Sequence, residues 1–271
     1  MPALTLQWPA ETLWHSIEPT WPGFSVEVLP QLDSTNSTLM ERARDGYLQP
    51  ILLVAEQQKA GRGRMGKQWH STQPVGGSLT FSLGLPMEDC DLSGLSLVVG
   101  CSLAHSLDPQ HRHELRLKWP NDLWYRQRKL GGILVEVCML GRQRFVVVGV
   151  GLNISQPPPL PEVDPALPAP MQPAWMQELD PAATAPAVLA QVAQPLALAL
   201  RQFSQYGFAP WVSRFQVRDA LAGQDVWLSD GSQGRAVGVS ASGALQVQTA
   251  YGLRDVLSDE VSVRPMPGHG D

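Results

Sequence analysis

The sequence predicts an α+β fold: a mixed sheet carrying a few helices, followed by a small all-β unit. Three observations predict it. Up to about residue 218, strand-like alternation outnumbers helical periodicity, and several neighbouring strands read as antiparallel. A proline-rich stretch at 157–186 interrupts the pattern and precedes a long helical segment. From about residue 221 the texture becomes short strands punctuated by "DGSQG", "ASG" and "YG", which suits a small barrel. The expected domains are 1–218 and 219–271.

The elements follow in order. A tryptophan- and proline-rich lead comes first. A short strand then runs into "DSTN" (33–36), where Asp33, Ser34 and Thr35 offer caps for a helix bearing Leu39, Met40 and Ala43 and closed by Gly46. "ILLVAE" (51–56) reads as a buried strand and "SLTFSLGLP" (78–86) as an alternating one. "LSGLSLVVGCSLAHSL" (92–107) is a buried helix, and "ELRLKWP" (114–120) alternates again. "LGGILVEVCML" (130–140) and "RFVVVGVGLNI" (144–154) form a hairpin of long strands. Residues 157–186 hold ten prolines and read as a surface excursion or linker. A helix over 184–207 should kink or divide at Pro195, and a short helix follows in "APWVSRFQV".

Composition bounds the function. The chain has 271 residues, 44% of them hydrophobic, enough for a substantial core. A net charge of −5 means that any basic site must be local. Three dispersed cysteines without a CxxC pair argue against a disulfide framework or zinc site and fit a reducing cytoplasm. The N-terminus does not read as a signal peptide, and the most apolar run, 92–107, is too polar and short for a membrane span. Arginine occurs 16 times and lysine four times, and all four lysines lie between residues 59 and 129. Either a compact ammonium rather than a planar fork is wanted there, or the four cluster by chance.

Four stretches carry candidate chemistry. In "AEQQKAGRGRMGKQWHS" (55–71), Gly61, Gly63 and Gly66 let backbone N–H groups approach an anion. Arg62 and Arg64 add forked donors, Lys67 a point charge and Trp69 a flat face for a purine. The loop matches neither the P-loop nor GxGxxG, and taken alone a solvated basic turn fits as well. In "KWPNDLWYRQRKLGGILVE" (118–136), Asn121 and Asp122 sit at a turn, and taken alone an ordinary hairpin with an Asn-Asp turn fits as well. Lys129 precedes Gly131 and Gly132, with room to point into a cleft, and Asp122 is placed to hold a metal or orient a lysine. "GVGLNIS" (149–155) is a glycine-bearing strand ending at Asn153, the kind that a ligand or another backbone approaches closely, though taken alone a tightly packed strand end fits as well. "DSTN" is explained by helix capping, and its hydroxyls and amide also suit an amide-bearing or ureido ligand.

Taken together and in this order, DSTN, AGRGRMGKQW, KWPND with KLGGIL, and GVGLN resemble the biotin–protein ligases (biotin–[acetyl-CoA-carboxylase] ligases). The resemblance spans roughly 25–265. It implies a class II aminoacyl-tRNA synthetase-like, biotin–lipoate ligase catalytic domain with a C-terminal SH3-like β-barrel. It implies ATP, Mg²⁺ carried on the ATP phosphates without a protein-only metal site, and biotin as substrate. Biotin carboxylate attacks the α-phosphate, giving biotinyl-5′-AMP and pyrophosphate. A lysine of a biotin carboxyl carrier protein domain then takes the biotin. By position, Ser34, Thr35, Asn36, Gln58, Arg62, Gly63, Arg64, Lys129 and Gly132 should meet biotin or its adenylate. Lys67, Trp69, Lys118, Asn121 and Asn153 should meet the nucleotide. Lys129, Arg62 and Arg64 are the expected catalytic cations, and Asp122 is the candidate base. The loop at 61–67 should order over the adenylate. Met65 and Lys67 depart from the family's more basic loop, so retention of the adenylate should be weaker. Only about 25 residues precede the pattern, so a monofunctional ligase that binds neither DNA nor membrane is expected, as monomer or homodimer. An operator shift with biotin and ATP present would contradict it. The alternatives are a lipoate–protein ligase, or a non-catalytic biotin- or nucleotide-binding regulator.

Overall fold

A computed structural model describes residues 6–87, 90–158, 172–228, 230–257 and 263–265. Helix α1 (Ala10–Ile17) comes first, then β1 (Ser25–Leu29), α2 (Thr35–Arg44) and β2 (Ile51–Ala55). A short hairpin, β3 (Gly61–Arg62) and β4 (Gln68–Trp69), precedes β5 (Ser78–Pro86) and α3 (Leu95–Leu107). Next come β6 (Leu115–Lys118), β7 (Asp122–Tyr125), β8 (Arg128–Leu140) and β9 (Gln143–Asn153). After α4 (Ala185–Tyr206) and α5 (Val212–Gln216) the chain forms β10 (Asp225–Leu228), β11 (Gln233–Val239), β12 (Leu245–Thr249), β13 (Gly252–Val256) and β14 (Val263–Pro265).

Seven strands make one mixed sheet in the order β1-β2-β5-β9-β8-β7-β6, with only β1 and β2 parallel. The α+β class read from the sequence is the class observed. The C-terminal strands make a five-stranded antiparallel sheet, β13-β12-β11-β10-β14.

Strand alternation decides where the site lies. On β5, Leu79, Phe81, Leu83 and Leu85 enter the main core beneath α3 and α4. The other face of β5 carries Ser78, Thr80 and Ser82, and it faces α2. β9 behaves alike: Val146, Val148, Val150 and Leu152 are core. Phe145 and Val147 pack under α2 with Leu39, Met40 and Leu53. Beyond them on that face come Gly149 and Gly151. Helix α2 thus covers only one end of the sheet's second face, and the remainder is floored by hydroxyls and glycines. A cleft results.

At the N-terminus α1 buries Leu13 and Ile17, and the Trp21 indole N–H donates to the Ala197 carbonyl of α4 at 3.0 Å. Its buried stripe is only two residues long, too little periodicity to read. Two expectations need correction. The proline-rich stretch is not wholly an excursion. Residues 159–171 lie outside the described part, but 172–186 pack closely. Ala174 is fully buried, its N–H donates to the Lys129 carbonyl at 2.9 Å, and Gln177 N–H donates to Ile154 O at 3.0 Å. Arg128 pairs with Glu178 and lies over the Trp175 ring. Proline excludes regular ladders but not backbone pairing to a neighbouring strand end. Helix α4 runs unbroken through Pro195, so no boundary between two helices falls there.

The C-terminal sheet is tied to β6. Leu117 N–H donates to Arg218 O at 2.7 Å, and Ala220 N–H returns to Leu117 O at 2.9 Å. Arg218 is buried and pairs with buried Asp108 at 3.2 Å. The Trp119 indole N–H donates to Gly243 O at 3.0 Å.

At this junction Asp219 is 5% exposed, and one of its carboxylate oxygens has no partner. Burial pushes its carboxyl up to about 6, against the Leu221 and Ala222 N–H groups and the Arg116 charge that hold it down. The folded state therefore binds this proton more tightly than the unfolded chain. Its contribution is fully present below the unfolded value of about 4 and is lost as pH rises through 6, about 3 kcal/mol in all. Asp219→Asn should be more stable than wild type at pH 7.5 and equal to it near pH 4. Urea midpoints at the two pH values check this, and a difference that does not change with pH would refute it.

Candidate active site

The DSTN turn is stitched to the strand that leads into the loop. Ser34 caps α2, its hydroxyl accepting from Ser37 N–H at 3.4 Å. Gln58 accepts from the Thr35 N–H at 2.7 Å and from the Thr35 hydroxyl at 3.1 Å. Lys59 and Ala60 N–H groups donate to Leu32 and Asp33 carbonyls. The Asn36 amide donates to Leu134 O at 3.2 Å and Glu136 Oε2 at 3.0 Å, and the Ser82 hydroxyl reaches its oxygen at 2.7 Å. A Cβ at Gly149 would sit 2.1 Å from that oxygen. Glycine is required there because Asn36 lies directly on the strand.

The basic loop forms the β3–β4 hairpin, pairing Gly61 with Trp69 and Arg62 with Gln68. Its turn spans Arg64–Gly66, with Met65 left-handed at φ 54°. Gly63 N–H donates to Lys67 O at 2.7 Å. The Trp69 ring lies on Gly151, where a Cβ would come within 2.6 Å of it. Arg62 reaches Glu136 at 2.9 Å and the Ser37 hydroxyl at 3.4 Å. The sequence led us to expect a ligand or another backbone against the 149–151 glycines. The close approach is made by two side chains, Asn36 and Trp69, which themselves wall the cleft.

The third wall comes from β6, β7 and β8. Lys118 lies 5.2 Å from the Trp124 ring centre. Asn121 donates to Ile133 O at 2.8 Å and accepts from Ile133 N–H at 3.0 Å through its own carbonyl. Between β7 and β8 the register slips: Leu123 pairs with Gly131, but Trp124 pairs with Lys129. This bulge inserts one residue and inverts the alternation upstream of it. Without it Lys129 would point away from the face holding Gly132, Leu134 and Glu136. With it the Lys129 ammonium lies across Gly132, 3.3 Å from where a Cβ would stand, and pairs with Asp122 at 2.7 Å. Of the roles open to Asp122 in the sequence, the structure shows a contact with the lysine.

These walls enclose a cleft of about 230 Å³. Ser34, Thr35, Asn36, Gln58, Arg62, Gly63 and Arg64 line it on one side. Lys67, Trp69, Lys118, Asn121, Asp122, Lys129 and Gly132 line the rest. Asn153 does not: its amide donates to Ala174 O at 3.0 Å, bracing the ordered end of the proline-rich stretch. Among the described residues, five cations and one carboxylate line the cleft, in a chain of net charge −5. Such a concentration favours an anionic ligand. Among the described residues, no cluster of three or more His, Cys, Asp or Glu is placed to hold a metal ion, and no helix is long and apolar enough to cross a membrane.

The motifs that build this cleft lie in a region shared with known proteins. The profile of the Biotin/lipoate A/B protein ligase family matches residues 28–153, which contain all four motifs. The bifunctional ligase/repressor BirA of Escherichia coli is 34% identical over 251 residues, covering 89% of this chain and 75% of that protein. The chain belongs to the biotin/lipoate protein ligase family. A family member from Mycobacterium tuberculosis, biotin–[acetyl-CoA-carboxylase] ligase, is 41% identical over 147 residues, 52% of each chain. Among solved structures, biotin protein ligase from Aquifex aeolicus in complex with biotin and ATP superposes with a TM-score of 0.72 at 28% identity, covering 89% of this chain and 99% of that one.

Three site features of this family member escaped the sequence. Ser82 and Thr80 were legible as the polar face of an alternating strand, but nothing local pointed that face at α2. Glu136 follows KLGGILV and looks like an ordinary exposed strand position. The bulge at Lys129 leaves no composition signal.

Proposed function

We propose that this chain is an ATP-dependent biotin–protein ligase that forms biotinyl-5′-AMP and passes biotin to a lysine of a biotin carboxyl carrier domain. The observation that carries it is the Lys129 ammonium, laid over Gly132 by the bulge, in a cleft with four further cations. Condensing a carboxylate with a polyphosphate brings two anions together. Fixed cations in a partly dry cleft offset that repulsion and stabilise charge that grows at the transition state. Lys129 bridges the biotin carboxylate and the α-phosphate. Arg62 and Arg64 hold the same anions from the loop side, and Lys67 and Lys118 extend the field toward the leaving pyrophosphate.

The polar wall of Ser34, Thr35 and Asn36 suits the ureido ring of biotin, which both donates and accepts hydrogen bonds. Trp69, half-exposed on Gly151, offers the purine a face. ATP enters as its Mg²⁺ complex, in which the ion neutralises phosphate charge. The described residues supply no cage of their own for it. In the transfer step the incoming lysine must lose a proton, since a free amine of pKa about 10.4 is only about 0.04% neutral at pH 7. Asp122, the one acid lining the cleft among the described residues, is our candidate to take it.

The lipoate reading is tested by offering both acids to one carrier domain with MgATP. Labelling by biotin, with lipoate labelling at least about a hundredfold slower, is the expected outcome. Equal labelling would return the reading to lipoate ligation.

A further inference from the structure

Glu136 lies on β8 opposite Val147, behind the lining of the cleft, with its side chain 18% exposed. Its Oε1 sits 2.9 Å from Arg62 Nη2. Its Oε2 accepts from Arg62 Nη1 at 3.4 Å and from the Asn36 amide at 3.0 Å. Arg62 also reaches Ser37 on α2, and the far end of Asn36 is held by Ser82 on β5. One carboxylate therefore joins the basic hairpin, the first turn of α2 and the central sheet. A half-buried carboxylate loses part of its hydration, and pairing offsets that loss. Both of its partners are residues that wall the cleft.

We propose that Glu136 is a positioning residue: it fastens the β3–β4 hairpin over the cleft through Arg62 and fixes the rotamer of Asn36, without touching the ligand itself. The guanidinium is a planar fork, so holding its Nη1 and Nη2 end sets the plane in which it meets an anion. The same carboxylate orients Asn36, so the basic loop and the polar wall share one anchor. The consequence for substrate binding rests on the ligase reading above, whereas the consequence for the hairpin does not.

The test uses Glu136→Gln, which keeps side-chain size and a hydrogen-bonding oxygen but removes the charge. Trypsin cuts after Arg62, Arg64 and Lys67, and cleavage of the ligand-free protein follows the open population of the hairpin when opening is fast. The variant should be cut about two- to fivefold faster than wild type, the range expected for loss of a partly exposed ion pair. Salt at 0.5 M should raise the wild-type rate toward that of the variant and leave the variant unchanged. In biotin-dependent pyrophosphate exchange, KM for biotin should rise by a similar factor and kcat should fall with it, because Arg62 meets the anions in the ground state and at the transition state. Should Glu136→Gln not fold, Glu136→Asp, whose charge is drawn back by one bond, should show the same faster cleavage. Wild-type cleavage and salt response in a folded variant would overturn the proposal. Absence of exchange in wild type would instead count against the ligase reading and leave the cleavage result to judge Glu136.

Discussion

Lys129→Ala should lose on the order of 10²–10³-fold in the rate of biotinyl-adenylate formation, the scale seen when one preorganised charge at a transition state is removed. The ammonium is fixed from three directions: the bulge aims it, Gly132 gives it room, and Asp122 holds it at 2.7 Å. Truncation also leaves Asp122 unpaired, a negative charge facing two incoming anions. Lys129→Arg should recover little, because a planar guanidinium spreads its charge over a fork and does not place it where the compact ammonium sits. Single-turnover formation of adenylate, measured apart from transfer, checks the claim. A Lys129→Ala rate within tenfold of wild type would mean that another cation bridges the carboxylate and phosphate.

Gly149→Val should abolish biotin-dependent activity and lower stability by about 1–3 kcal/mol, the cost of overpacking a close contact. The first atom added would stand 2.1 Å from the Asn36 oxygen, so Asn36 must leave the strand. Its bonds to Ser82, Leu134 and Glu136 go with it. Gly132→Val is the matched control: the nearest atoms there belong to the flexible end of Lys129, at 3.3 and 3.4 Å. That side chain can move, so stability should change less while activity still falls. Urea midpoints and exchange rates for both variants distinguish a structural from a purely local effect.

Much of the site was legible because its motifs are local. Glycine spacing in GRGRMG, the capping hydroxyls of DSTN and the paired glycines of KLGG each constrain a few residues of backbone, and they report it in sequence. The alternation of 78–86 and the long strands read in 130–140 and 144–154 likewise located three strands of the sheet. What escaped depends on pairing over long separations. Asn36 meets Glu136 across 100 residues, and Trp119 meets Gly243 across 124. The bulge that turns Lys129 inward is a register shift between two strands, invisible to either strand alone. Proline content misled for a related reason. It argues correctly against a ladder in 172–184, but says nothing of the single backbone bonds through which Ala174 grips Lys129 and Asn153. Asn153, expected at the nucleotide, is engaged in that brace.

The central claim is that this cleft activates biotin with ATP. The measurement that tests it most directly is exchange of labelled pyrophosphate into ATP by the purified chain with Mg²⁺, with and without biotin. The account predicts exchange that requires biotin and disappears in Lys129→Ala. Exchange that is absent with biotin present, or that proceeds equally without it, would contradict the account.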